Sequence, residues 1–149
     1  MPKRLSQEEF DKIYSKVPRV TVEVIYINKE GILLTLRAFG VWKGQWHFPG
    51  GGILRGEPML DAVKRVSKVE LGVEAEVKQF LGIIEWLPNK NSAKVHAYSL
   101  CFLVDLKSEK IKLDKQASDY RFFKKIPENT ITEQKNFIPK ILQFATLNQ

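Results

Sequence analysis

The sequence predicts an α/β fold in which helices cover the faces of a mixed central sheet, an α/β/α sandwich. Three observations carry that expectation. Residues 19–28 are rich in β-branched side chains, and the turn Asn28-Lys29-Glu30-Gly31 joins them to an antiparallel apolar partner at residues 32–37. The glycine run Gly50-Gly51-Gly52 then leads into an amphipathic helix. Further extended stretches at residues 74–86, 94–106 and 120–124 supply the rest of the sheet. At 149 residues the chain makes a single domain with room for a sizeable core.

The elements follow in order. Residues 6–16 form a short helix with Phe10, Ile13 and Tyr14 on one face, opened by the capping pattern Ser6 to Glu9. After the first strand pair, residues 40–44 are a loop and residues 45–48 a short strand. The glycine loop precedes a helix at residues 57–71, with Pro58 in its first turn and Gly72 as its stop. The stretch 88–93 is polar and turn-like and is expected beside the site. A closing helix ends near Leu147. Pro139 leaves two starts open: its first turn with Asn136 as a nearby cap, or a kink in a helix begun at Thr132.

Composition narrows the function. A net charge of +7, from 24 Lys and Arg against 17 Asp and Glu, suits an anionic ligand such as a phosphorylated metabolite. Nucleic acid is disfavoured, because Lys107, Lys110, Lys112 and Lys115 alternate with acidic and apolar residues as a solvated strand edge does. No apolar run is long enough to span a membrane, and the first residues lack the apolar segment of a signal peptide. The single Cys101, in an apolar run, is expected to be a buried thiol in a reducing cytoplasm.

The sharpest signal is one misplaced charge. At about 100° per residue, Met59, Ala62, Val63, Val66 and Val69 share one helix face, and Glu70 falls inside that apolar arc. An ionised carboxylate there costs several kcal/mol unless it meets a cation or dense hydrogen bonding. A metal ligand is the simplest reading, with a structural salt bridge as the alternative.

These residues carry a resemblance. Gly51, five residues, Glu57, seven residues, Arg65, then Glu70, one residue, Gly72 and Val73 resembles the Nudix box. Val66 and Val69 stand where the full box has glutamates. The reduced box is similar to that of the GDP-mannose mannosyl hydrolase branch, as are Leu5 to Phe10, Gln45 to Gly51 and Asp119 to Phe122. The resemblance implies the Nudix α/β/α sandwich and a magnesium-dependent hydrolase, with manganese as a substitute ion. Its substrates would be nucleoside diphosphate-linked compounds, above all GDP-mannose-like nucleotide sugars, with nucleoside diphosphate and free sugar as products. Attack at phosphorus and a low-activity nucleotide-binding module are the alternatives. The branch also implies a homodimer, to which the leading helix could contribute.

Residue by residue, the resemblance places the metal on the Gly50 carbonyl, Glu70 and the Gln116 amide. Arg37 would bind the diphosphate and favour leaving-group departure, since a guanidinium grips phosphate oxygens bidentately. Gly51 would let backbone approach phosphate closely. Gly52 replaces a basic residue of the branch, and Arg55 is the candidate to compensate. Ala117 replaces the branch's general-base histidine, which leaves His96 and Asp119 as candidate bases. His47 could face the core. Arg65 is read as an orienter of box carboxylates, and Glu57 either as a helix cap or as a contact of the metal's water shell. Trp42 and Trp86 are candidates to stack a nucleobase, whereas Trp46 is expected in the core.

Overall fold

A computed structural model describes residues 3–90 and 95–147. Helix α1 (Gln7–Tyr14) opens with the expected capping box. The Ser6 hydroxyl accepts from the Glu9 amide at 3.2 Å, while the Glu9 carboxylate accepts from the Ser6 amide at 3.0 Å. The strands are β1 (Arg19–Ile25), β2 (Ile27–Asn28), β3 (Gly31–Arg37), β4 (Trp46–His47), β5 (Gly50–Gly52), β6 (Ala75–Trp86), β7 (Ala97–Leu106) and β8 (Ala117–Phe123). Helix α2 spans Met59–Leu71 and α3 spans Thr132–Leu147.

One sheet runs β5-β1-β7-β6, with β1 parallel to β7 and the other pairs antiparallel, so it is mixed as expected. A second, antiparallel sheet runs β2-β3-β4, with β8 also on β3. The run at 19–28 is therefore not one strand. It breaks at Tyr26, whose carbonyl accepts from Leu33 at 3.0 Å, and the chain passes from one sheet to the other. A local β-branched pattern cannot reveal that change of partner.

Three further expectations are corrected. The glycine run is a strand rather than a loop, with Thr21, Val22 and Glu23 opposite Gly52, Gly51 and Gly50. Helix α2 begins at Met59, not Glu57, because Pro58 takes extended backbone and caps it. Strand β8 starts at Ala117, ahead of the expected Tyr120. Of the two starts for the last helix, Thr132 holds, with Pro139 inside it. Gly72 stops α2 in the left-handed conformation at φ 70°, as its position suggested. Lys94 and residues 91–93 of the expected turn lie outside the described residues.

Packing makes the layers. Ala62, Val63 and Val66 of α2 cover Val22, Val24, Phe102 and Val104 on one face of the mixed sheet. On the other face Ile25, Leu81, Ile84 and Cys101 meet Phe137, Ile138 and Ile141 of α3 and Leu34 of the second sheet. Met59 and Val69, expected on the buried arc, lie at its exposed margin. Cys101 is fully buried, which pushes its thiol pKa up and leaves it inert. Among the described residues no helix is long and apolar enough to cross a membrane.

Candidate active site

Alternation along β5 sets up the site. Gly50 and Gly52 turn one way and Gly51 the other, where a Cβ would lie 3.2 Å from Val66 Cγ2 of α2. A Cβ at Gly50 would run into the Glu23 carboxylate, and one at Gly52 into the Arg19 guanidinium. None of the three needs positive φ. Glycine is required here by close approach, not by backbone conformation.

Glu70 is the buried charge that its helical position predicted. It is 8% exposed, and the Gly50 amide donates to its Oε2 at 2.8 Å. Among the described residues no cation pairs with it and none donates to its Oε1. It also sits in the last turn of α2, where the helix dipole disfavours an anion. Burial, then the field of Asp114, pushes its pKa up to about 8, against a smaller pull from the Gly50 hydrogen bond and Arg37. A divalent ion would reverse that imbalance, so the chemistry of this carboxylate fits a metal. Among the described residues no three His, Cys, Asp or Glu side chains gather to hold one. Backbone, amide or phosphate oxygens would have to complete the shell.

Glu57 and Arg65 are spent on each other. Arg65 Nε donates to Glu57 Oε2 at 2.8 Å and Nη2 to Oε1 at 3.0 Å, a bidentate pair. Arg65 also donates to the Gly52 carbonyl at 2.7 Å, and Glu57 accepts from the Leu54 amide at 3.1 Å. The hydrogen bonds to Arg65 lower the Glu57 pKa. Arg65 thus orients a box carboxylate as expected, and Glu57 locks the turn between β5 and α2.

A second carboxylate went unnoticed in the sequence. Glu23 of β1 is 6% exposed and lies beside Gly50. Its Oε1 accepts from Ser99 Oγ at 3.0 Å, and that oxygen in turn accepts from Trp86 Nε1 at 2.8 Å. Gln134 of α3 accepts from the Phe48 amide at 2.9 Å and hydrogen-bonds Glu23 as well. Burial outweighs these bonds and pushes the Glu23 pKa up to about 8, with Glu70 adding to the rise. An acid inside an otherwise β-branched strand was the available signal, but only the parallel pairing with β7 shows that both faces are covered.

The other candidates divide. Arg37 is half-buried, and its buried Nε has no hydrogen-bond partner among the described residues. Gln116 lies next to it in the fold, its carbonyl accepting from Ala38 at 3.0 Å. Asp114, missed in the sequence, faces Glu70 closely enough to raise its pKa and accepts from the Gln116 amide at 3.1 Å. Asp119 pairs with Arg121 at 3.1 Å. The His96 ring packs on Tyr98 at 5.7 Å, on the opposite side of β7 from Ser99, and its buried Nε2 has no partner among the described residues. His47 is a core histidine 3.3 Å from Thr35 Oγ1, its pKa pushed down to about 4 by burial and by Arg37. Arg55 is exposed on the turn after β5. Trp86 is buried, Trp46 is buried beside Phe123, and the half-buried Trp42 packs on Trp86 at 5.3 Å.

Comparison with known proteins finds relatives of this chain and of its fold. A family model described as NUDIX domain matches residues 17–140. The low-salt glycan biosynthesis protein Agl8 of Haloferax volcanii is 29% identical over 124 residues, covering 80% of each chain. The ADP-ribose pyrophosphatase of Methanocaldococcus jannaschii is 32% identical over 106 residues, 71% of this chain and 62% of that protein. In structure, a MutT NUDIX hydrolase from Burkholderia pseudomallei superposes with a TM-score of 0.76 at 21% identity, covering 85% of this chain and 99% of that one.

Proposed function

The chain belongs to the Nudix family, and from that premise we propose that it is a metal-dependent hydrolase of nucleoside diphosphate-linked compounds, nucleotide sugars foremost. One observation carries this reading. Glu70, a buried carboxylate with no paired cation among the described residues, lies within electrostatic reach of Arg37, whose buried Nε lacks a partner among them. A divalent ion with a diphosphate satisfies both at once. Glu70, the Gly50 carbonyl and the Gln116 amide would hold the ion. When bound, magnesium or manganese offsets diphosphate charge and steadies the departing oxygen.

The chain's own residues supply the rest. Arg37 grips phosphate oxygens and stabilises charge as it gathers on the leaving diphosphate. The Gly50 amide fixes one Glu70 oxygen, and no described donor engages the other. Burial, outweighing the hydrogen bonds to Ser99 and Gln134 and helped by Glu70, holds Glu23 protonated at neutral pH, so it can donate to an oxygen of the substrate beside Gly50. Ala117 offers no proton acceptor, Asp119 is engaged by Arg121, and His96 turns toward Tyr98. Trp42 offers a partly open aromatic face for a base.

With Val66 and Val69 replacing carboxylates, the lone Glu70 favours water attack at the sugar carbon, giving nucleoside diphosphate and free sugar. Phosphorus attack is the second reading, favoured by Asp114, which puts another carboxylate near Glu70. A phosphorus and proton NMR time course with magnesium, a nucleotide-sugar panel led by GDP-mannose, and a Glu70→Gln control separates them. Nucleoside diphosphate plus free sugar, lost in the control, is expected. Nucleoside monophosphate plus sugar phosphate would transfer the enzyme to the second reading. Absence of turnover across the panel would overturn both and leave a binding module.

A further inference from the structure

Arg19 is a charge without a described counter-charge. Its guanidinium lies over Gly52, where an added Cβ would fall 2.8 Å from Nε and 2.9 Å from Cζ. Cζ stands 4.7 Å from the Phe10 ring centroid and 5.9 Å from that of Tyr14, both on α1. Among the described residues the guanidinium makes no salt bridge or hydrogen bond. The nearest acid, Glu23, is bonded to Ser99 instead. Tyr14 and Glu23 lie within electrostatic reach, as do Arg37 and Arg4, so three positive charges converge beside the buried acids without a described salt bridge from Arg19. Burial lowers the Arg19 pKa, yet a guanidinium stays charged.

A clamp for α1 does not account for this geometry. Stacking on an aromatic face is worth about 0.5–1 kcal/mol at an exposed site and asks nothing of Gly52. Alternation along β1 puts Arg19 on the same face as Glu23, the face toward which Gly50 and Gly52 turn. The missing side chain at Gly52 is what leaves room for the guanidinium. Because the obstructing atoms belong to a flexible side-chain end, an arginine at 52 could take the space if Arg19 gave it up.

We propose that Arg19, threaded from β1 over Gly52 and held by the α1 aromatics, is a second phosphate-gripping cation that acts with Arg37 on the substrate diphosphate. The substrate class rests on the function proposed above, but the anion site does not require turnover. The site is thus assembled from α1 as well as from the residues of the Nudix box.

Titration calorimetry with inorganic pyrophosphate and magnesium tests the proposal. Arg19→Gln should weaken pyrophosphate binding about tenfold or more with the unfolding temperature little changed. Gly52→Ala keeps the charge but displaces it, and should weaken binding as well. Arg19→Gln combined with Gly52→Arg should recover most of the loss. Unaltered affinity in Arg19→Gln, or no pyrophosphate binding by the parent protein, would overturn the proposal. If Arg19→Gln fails to fold, the Gly52→Ala result decides alone. Arg19-dependent pyrophosphate binding without turnover of any nucleotide sugar would sink the hydrolase reading and leave the anion site standing.

Discussion

The turn between β5 and α2 and the cleft beside Gly50 are neighbours with opposite electrostatics. In the turn, Glu57 and Arg65 answer each other twice, Arg65 also donates to the Gly52 carbonyl, and Glu57 also accepts from the Leu54 amide. In the cleft, among the described residues, Glu70 has no paired cation, Arg37 Nε has no acceptor, and Arg19 has aromatic neighbours but no salt bridge. A satisfied network stabilises a fold, whereas unanswered buried charge costs stability and is held in place by its surroundings. The turn is built to be rigid and the cleft to be completed by something else.

Substitutions can break that contrast or sharpen it. The largest expected effect is Glu70→Gln, which keeps an acceptor for the Gly50 amide but removes the charge. Turnover should fall by at least about 10²-fold, while the metal-free protein should lose no stability at pH 8. A large drop in its unfolding temperature would mean that Glu70 is structural and the contrast false.

Next comes a pH effect of about 3 kcal/mol at most. His47 holds a folded-state pKa of about 4 against 6.5 when free, so between those values the unfolded chain binds more protons. Its stabilising contribution is fully present above pH 6.5 and is lost as pH falls toward 4. Urea denaturation should show the protein losing stability relative to His47→Gln as pH falls from 6.5 toward 4, with a constant gap above pH 6.5. Parallel curves across the range would show that the cleft does not suppress the charge.

Arg65→Ala should destabilise by about 2–3 kcal/mol, less than a fully buried pair because Arg65 keeps 22% of its side-chain surface. Thermal denaturation measures it, and a loss under 0.5 kcal/mol would make the turn no more than a surface pair. Smallest is Ser6→Ala, which removes the α1 cap at a cost of about 1 kcal/mol to that helix. Because α1 holds Arg19, pyrophosphate affinity should drop about twofold, read by the same calorimetry. An unchanged value would uncouple the helix from the cleft.

The turn was the more legible region in the sequence. Glu57 and Arg65 stand at the box spacing, Gly72 marks the stop, and Glu70 declares itself by occupying an apolar arc. Each of these is a local signal. The cleft is made by strands distant in sequence, so Glu23 looked like one polar residue in a β-branched run and Arg19 like an unremarked start to it. Asp114 was in view as a neighbour of Gln116, but nothing local ties it to Glu70. Glycine's low strand propensity hid β5, whose pairing with β1 is decided by what a Cβ would strike.

The parallel pairing of β1 with β7 also governs when the site can come into being. Thr21 meets Ser99 across 78 residues of chain, while β5 and α2 are close neighbours in sequence. Closing so long a loop costs entropy before any contact rewards it, and such pairings slow folding. The turn can therefore form early and locally, whereas Glu23 gains its Ser99 partner only after β7 has been synthesised. During synthesis from the N-terminus, the anion-gripping face of β1 exists as sequence long before it exists as a surface.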